Sequence, residues 1–177
     1  MSDRPDSNPD PEPEPAPAPA QVPPPRIFLP PPLLFAAGFG AGAAVHRWLP
    51  GDALPDALAQ PARWIGIALA IAGVSFSFTA VATVWRAGTT ALPFRAASRL
   101  VTHGPYRFAR NPMYTGLTAV YIGLALAWNR IWPFAFLPIV LSLLMRHVVV
   151  PEESYLEARF GEAYRSYRAR VRRFLVV

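Results

Sequence analysis

Two short clusters hold most of the side chains in this chain whose types and spacing suit chemistry: Tyr106 to Gly116 (YRFARNPMYTG) and the pair Glu152-Glu153. Arg107 and Arg110 suit a carboxylate or a phosphate, because a guanidinium offers paired charged donors. Asn111-Pro112 reads as a helix start, with Asn as cap and Pro at the first helical position. A helix N-terminus there favours an anion. Tyr106 and Tyr114 present aromatic faces to a cation or a purine. Glu152 and Glu153 suit a cation or ribose hydroxyls. If the clusters meet, the ligand they imply carries both signs of charge and a flat ring. Taken singly, each has a plain structural use: a cap, a topology signal, the start of a surface helix.

Four apolar segments must position these residues. The first runs from about Ile27 to Trp48, opening on Pro30, Pro31 and Pro32. Gly38 and Gly42 share one helix face and let a neighbour approach closely. GFGAG is not a nucleotide loop, since no strand precedes it. Leu49 to Ala62 is a short polar link. Trp64 to Trp85 is long enough for the ~30 Å hydrocarbon layer, with a Trp at each end for the interface belt. The third segment is Pro112 to Trp128 and the fourth Ile131 to Val150, with Pro138 as a kink. Only Asn129-Arg130 separates them, which reads as a tight antiparallel hairpin. That hairpin would carry Asn111, Pro112 and Tyr114 to Glu152 and Glu153.

The expected class is therefore all-α: an integral membrane bundle of about four transmembrane helices with a C-terminal amphipathic helix. Residues 152–174 form that helix, apolar at Leu156, Phe160, Tyr164, Tyr167, Val171 and Phe174, and Arg-rich elsewhere. Gly161 is a candidate break within it. A basic amphipathic helix lies well on an anionic bilayer surface. Residues 1–25 are rich in Pro, Ala and acid, too poor in apolar residues for a core; they read as a disordered tail before a domain at 26–177. The tail holds five acids and one base; the remainder holds 16 Arg and six acids. Long apolar runs separate the Arg clusters, so the charge follows membrane topology, not nucleic acid. The acid-free loop from Arg86 to Asn111 is then cytoplasmic, as are both termini. The expected setting is a bacterial inner membrane, crossed several times. The absence of Cys excludes disulfides, thiolate nucleophiles and Cys-based metal sites.

A carboxylate, an amine, a sulfonium and an adenine make S-adenosyl-L-methionine a ligand of the profile above. LVTHGPYRFARNPMYTG, an apolar hairpin, then EESYLEARFGEAYRSYRARVRRF resembles the signature of the isoprenylcysteine carboxyl methyltransferase family, itself similar to membrane phospholipid N-methyltransferases. The resemblance covers Leu100 to about Phe174. It implies an integral membrane methyltransferase using S-adenosyl-L-methionine from the cytosol, with a lipophilic or lipid acceptor arriving sideways from the bilayer. By motif position it implies cofactor contacts at Leu100, Val101, Tyr106, Asn111, Pro112, Tyr114 and Glu152. Arg110 and the loop residue His103 join the candidate cofactor set. Asn111 stands where eukaryotic members carry His. Arg146 and His147 are the candidate counterparts of the Arg those members place before the Glu pair.

Catalytic expectations follow from the acceptor. A carboxylate needs alignment and desolvation but no base, with Arg146 to hold it. An amine must lose a proton, with Glu153 or His147 to take it. A carboxylate acceptor, a phospholipid amine and a non-catalytic four-span protein that recruits partners all remain open here. A related family of membrane reductases shares such a hairpin, but RNPMY and the Glu pair point away from it.

Overall fold

A computed structural model describes residues 30–51, 53–89 and 97–175. The tail at 1–25, the beginning of the first apolar segment, Pro93 and Arg95 lie outside the described residues. Every regular element described is helical: α1 Pro31–Trp48, α2 Asp56–Arg86, a 3-10 turn Gly104–Arg107, α3 Pro112–Trp128, α4 Ile131–Leu144, a π-turn Met145–Val149, α5 Val150–Phe160 and α6 Glu162–Arg170.

The four longest helices pack as antiparallel pairs, α2 on α3 and α1 on α4. Glycine makes both contacts possible. In the first pair Gly66 lies against the Gly123 backbone and Gly73 against the Gly116 backbone; a Cβ at any of these would sit under 3 Å from the facing carbonyl oxygen. Ser77 adds a hydroxyl bond to the Met113 carbonyl at 3.0 Å. In the second pair Gly42 meets the Pro133 backbone and Gly38 the Val140 side chain, which is the close approach expected of these two glycines. Small residues let backbones come together where apolar driving force between helices is weak.

The hairpin between α3 and α4 forms, but the two helices touch each other only thinly and take their main partners elsewhere. Asn129 makes the turn in the left-handed conformation, at φ 50, which Asn tolerates better than most residues. Its amide exchanges two hydrogen bonds with the Leu54 backbone, at 2.9 and 3.0 Å. The two short connections are thereby tied at one end of the bundle. Between the helices Leu34, Phe35, Tyr121, Val140, Leu144 and Val148 form the core, with the Tyr121 hydroxyl donating to the Pro133 carbonyl at 2.8 Å.

Three boundaries differ from the sequence expectation. α2 begins at Asp56, so the link before it is shorter than 49–62 and Pro61 lies inside the helix. The fourth apolar segment does not stop at Val150: α4, the π-turn and α5 form one helix, Ile131–Phe160. Pro151 has no N–H for the His147 carbonyl and its ring crowds that oxygen. The chain rewinds through a wider turn instead of breaking. Finally, 152–174 is not one helix. Gly161, at φ 52, splits it, and helix ends at Arg170, leaving Val171 to Leu175 as a non-helical strap.

Helices Asp56–Arg86 and Ile131–Phe160 are long and apolar enough to cross a membrane. The outer face of α2 exposes Trp64, Ile65, Ile71, Val74, Phe78 and Trp85, far more apolar surface than a water-facing helix carries.

Candidate functional site

The start of α3 and the start of α5 meet, and a cavity of about 90 Å³ lies between them. Of the residues singled out from sequence, Leu100, Val101, Tyr106, Arg110, Asn111, Pro112, Tyr114, Glu152 and Glu153 all line it. His103 does not; it is exposed and caps the 3-10 turn through its backbone, its carbonyl accepting the Tyr106 N–H at 3.3 Å. Arg146 and His147 do not either, being exposed on the π-turn.

Helical register sets the two carboxylates to different tasks. Glu152 accepts a hydrogen bond from the Tyr114 hydroxyl at 2.9 Å. Glu153, 6 % exposed, is clamped by two arginines. Arg173 binds it through two bonds, Nε to Oε1 at 3.0 Å and Nη2 to Oε2 at 2.6 Å, and Arg110 Nη2 lies 3.3 Å from Oε1. The carboxylate bonding is the largest cause raising the Arg173 guanidinium above its ordinary value.

The strap explains how Arg173 arrives there. The Arg172 carbonyl accepts the Arg110 N–H at 2.8 Å and the Arg173 carbonyl the Asn111 N–H at 3.1 Å. The Asn111 side-chain amide also donates to the Arg173 carbonyl, at 3.3 Å. Asn111 therefore occupies the cap position of α3 without capping it through its side chain. Its amide secures the strap.

Among the described residues Arg110 is the least satisfied group. Its side chain is 9 % exposed, and its Nε and Nη1 are buried with no close hydrogen bond, the Tyr164 hydroxyl lying beside the guanidinium as the nearest complement. Burial pushes the Tyr164 phenol up to about 12, with the Glu153 charge adding to the rise and Arg110 opposing it. Tyr106 is raised well above the ordinary phenol range by burial first, then by the charge of Glu152. Tyr167 is raised likewise, chiefly by burial, so it stays a neutral donor and gives its hydroxyl to the Tyr106 carbonyl at 2.6 Å. On the loop side, the Ala97 N–H donates to the Tyr155 hydroxyl at 3.0 Å and Arg159 donates to the Ala97 carbonyl. These bonds fix the chain that leads to Leu100 and Val101.

Sequence reasoning missed Tyr164, Tyr167, Tyr155 and Arg173 as parts of the site. Tyr164 and Tyr167 read as the apolar face of an amphipathic helix. The signal that could have found them is the repeated hydroxyl in YRSY, which a merely apolar face does not need. Among the described residues no cluster of His, Asp and Glu suits a metal.

The phospholipid methyltransferase family model matches residues 61–163. The protein-S-isoprenylcysteine O-methyltransferase B of Arabidopsis thaliana is 32% identical over 114 residues, covering 61% of this chain and 57% of the relative. The chain thus spans a little over half the length of that curated relative. No solved structure gives a significant match. The matched region carries most of α2, all of α3 and α4 and both carboxylates, and on that match the chain belongs to the phospholipid methyltransferase family.

Proposed function

We propose that the protein is an integral membrane methyltransferase that binds S-adenosyl-L-methionine at the cleft between α3 and α5, whose enclosed part, about 90 Å³, widens to take the whole cofactor, and that it methylates a lipophilic acceptor. One observation carries the reading: a buried cation, Arg110, whose Nε and Nη1 make no close hydrogen bond, lies against the Tyr164 phenol in one cavity with the Glu152–Tyr114 pair. Buried donors without partners are uncommon and call for a ligand. Arg110 and Tyr164 fit a carboxylate. Glu152, held by Tyr114, fits an amine or the field of a sulfonium. Leu100, Val101 and Pro112 offer the apolar walls a purine needs, with Tyr106 as an aromatic face. Bound there, the cofactor would supply an electrophilic methyl group on sulfur. The chain's part would be to orient that group, shed water and balance charge.

The family match supports a membrane setting, and so do the two long apolar helices. α1 and α3, with 18 and 17 residues, would complete four spans at the short end of the usual range. The acid-free, Arg-bearing loop before α3 would then face the cytoplasm with the site. The curated relative's name favours an acceptor carboxylate, which is ionised at neutral pH and needs no base. The family's name favours a phospholipid amine, for which Glu153 would have to accept a proton despite its two arginines. Calorimetry on the purified full chain in detergent tests the reading. Binding of S-adenosyl-L-methionine is expected, weakened by Glu152→Ala and by Tyr114→Ala. No heat of binding, or no loss in either variant, would sink it. Labelled methyl transfer into prenylcysteine analogues or into membrane phospholipids then separates the two acceptors.

A further inference from the structure

The end of the bundle that carries the site also exposes cations that no described carboxylate answers. Arg146 on the π-turn, Arg170 at the end of α6 and Arg172 on the strap are all exposed. Among the described residues none of the three forms an ion pair. The acids on neighbouring elements are already engaged. Glu152 holds the Tyr114 hydroxyl, Glu153 binds Arg110 and Arg173, Glu157 pairs with Arg168 and Glu162 with Arg165. Asp56 opens α2 at the opposite end of the bundle.

Helix register fixes where the acidic N-terminal stretch joins this surface. α1 runs antiparallel to α4, with Gly42 against Pro133 and Gly38 against Val140. Continued toward the start of α1, that register brings Pro31 level with the π-turn at Met145–Val149. Leu34 and Phe35 accordingly share a cluster with Leu144, Val148 and Val149, and Phe174 of the strap packs against it. The chain before Pro30 therefore joins the bundle beside the π-turn and the strap. Between Arg4 and Arg26 the sequence holds Asp6, Asp10, Glu12 and Glu14 and no base. At ~3.1 Å per residue for a Pro-rich chain, the stretch from Glu14 to Pro30 spans up to ~50 Å, enough to return its acids to all three arginines. Single surface ion pairs are weak, but a tether holds the partner at roughly millimolar effective concentration, and several pairs act together.

We propose that the acidic segment 6–14 docks on the surface formed by Arg146, Arg170 and Arg172 and shields it from anionic lipid heads. The chain's own segment is the fitting occupant, because it carries the complementary charge and is anchored within reach. It contains only Asp, Glu, Ser, Asn and Pro, so nothing in it suits an apolar pocket and the contact is electrostatic. Pro9, Pro11 and Pro13 alternate with Asp10, Glu12 and Glu14. Proline has no N–H, so that run presents chiefly acceptors to the guanidinium donors. Neither the cofactor nor the acceptor takes part in this contact.

The test is a pair of nitroxide labels on the full chain, at Ala16→Cys and at Ala158→Cys on the exposed side of α5. The chain has no Cys of its own, so both labels are specific. Double electron–electron resonance in phosphatidylcholine nanodiscs reads the distance between them. A narrow distribution is expected at about 0.1 M salt, and a broad, longer one at about 1 M, where the screening length falls from ~10 to ~3 Å. Asp10→Asn with Glu12→Gln and Glu14→Gln should give the broad distribution at low salt while leaving the bundle untouched. Arg146→Gln with Arg170→Gln and Arg172→Gln should do the same. A distribution in the unaltered segment as broad as in its neutralised form overturns docking. A narrow one that survives high salt overturns its electrostatic basis, and one that survives the arginine changes overturns this surface. Loss of the narrow distribution in phosphatidylglycerol-rich nanodiscs overturns the segment as occupant in favour of lipid heads. S-adenosyl-L-methionine is left out throughout, so the result is separate from that of the calorimetry.

Discussion

Arg110 and Glu153 show how a charged residue survives burial at this site. Glu153 is satisfied by two guanidinium groups, and Arg110 is only half used. Breaking a buried pair by removing one partner typically costs about 3–5 kcal/mol. Glu153→Gln should therefore lower the unfolding midpoint clearly, near the lower end of that range because Arg173 keeps some contact with solvent. Tyr164→Phe separates structure from binding. Its hydroxyl makes no close hydrogen bond and has the Arg110 guanidinium beside it, so its loss should change thermal stability by no more than ~1 kcal/mol. If it holds the cofactor, affinity should still fall about fivefold, the worth of one hydrogen bond of ~1 kcal/mol. A stability loss without an affinity loss would contradict the assignment. Tyr114→Phe should lower stability, because it strips a donor from Glu152, at about 1–3 kcal/mol.

At the scale of the elements, the α2–α3 contact decides where the site lies. Gly116 is in the first turns of α3, and a Cβ there would meet Ser77 Oγ and the Gly73 carbonyl. Gly73→Leu should cost ~3 kcal/mol or more through overpacking and should tilt α3 enough to weaken cofactor binding. Gly40, with nothing within 4 Å of an added Cβ, is the matched control: Gly40→Leu should not destabilise and should raise stability by up to ~1 kcal/mol, the helix-propensity cost of a mid-helix glycine. Thermal unfolding in detergent checks both. The glycines of α2 and α3 were not legible as a contact. Their spacing is visible in each helix alone, but which helix answers which depends on the whole bundle. Gly38 and Gly42 were legible as a close-approach face, though not as a face for α4.

Across the whole molecule, the strap joins what the helices leave apart. It satisfies the Arg110 and Asn111 N–H groups, delivers Arg173 to Glu153 and seats Phe174 beside the core. A chain ending at Arg170 should lose S-adenosyl-L-methionine binding altogether and unfold at markedly lower temperature. Retained cofactor affinity in that truncation would show the strap to be dispensable to the cavity.

The amino-acid sequence by itself determined the helices and those ends marked locally, at Asn111-Pro112, Asn129-Arg130 and Gly161, because such signals act within a few residues of where they stand; it misplaced the start of α2, the end of the fourth apolar segment and the end of α6. It also determined that Tyr114 and the Glu pair would be neighbours, since two apolar segments of similar length joined by two residues must return the chain to the same side. Tertiary structure alone decided that Glu152 takes a tyrosine and Glu153 two arginines. Adjacent residues on a helix point about 100° apart, and only packing settles which neighbour each one meets. It alone decided that the helix absorbs Pro151 through a preceding π-turn, leaving Arg146 and His147 exposed while the strap brings Arg173 to Glu153. The strap itself carries no periodic signal, and its place is set by hydrogen bonds to residues some sixty positions earlier.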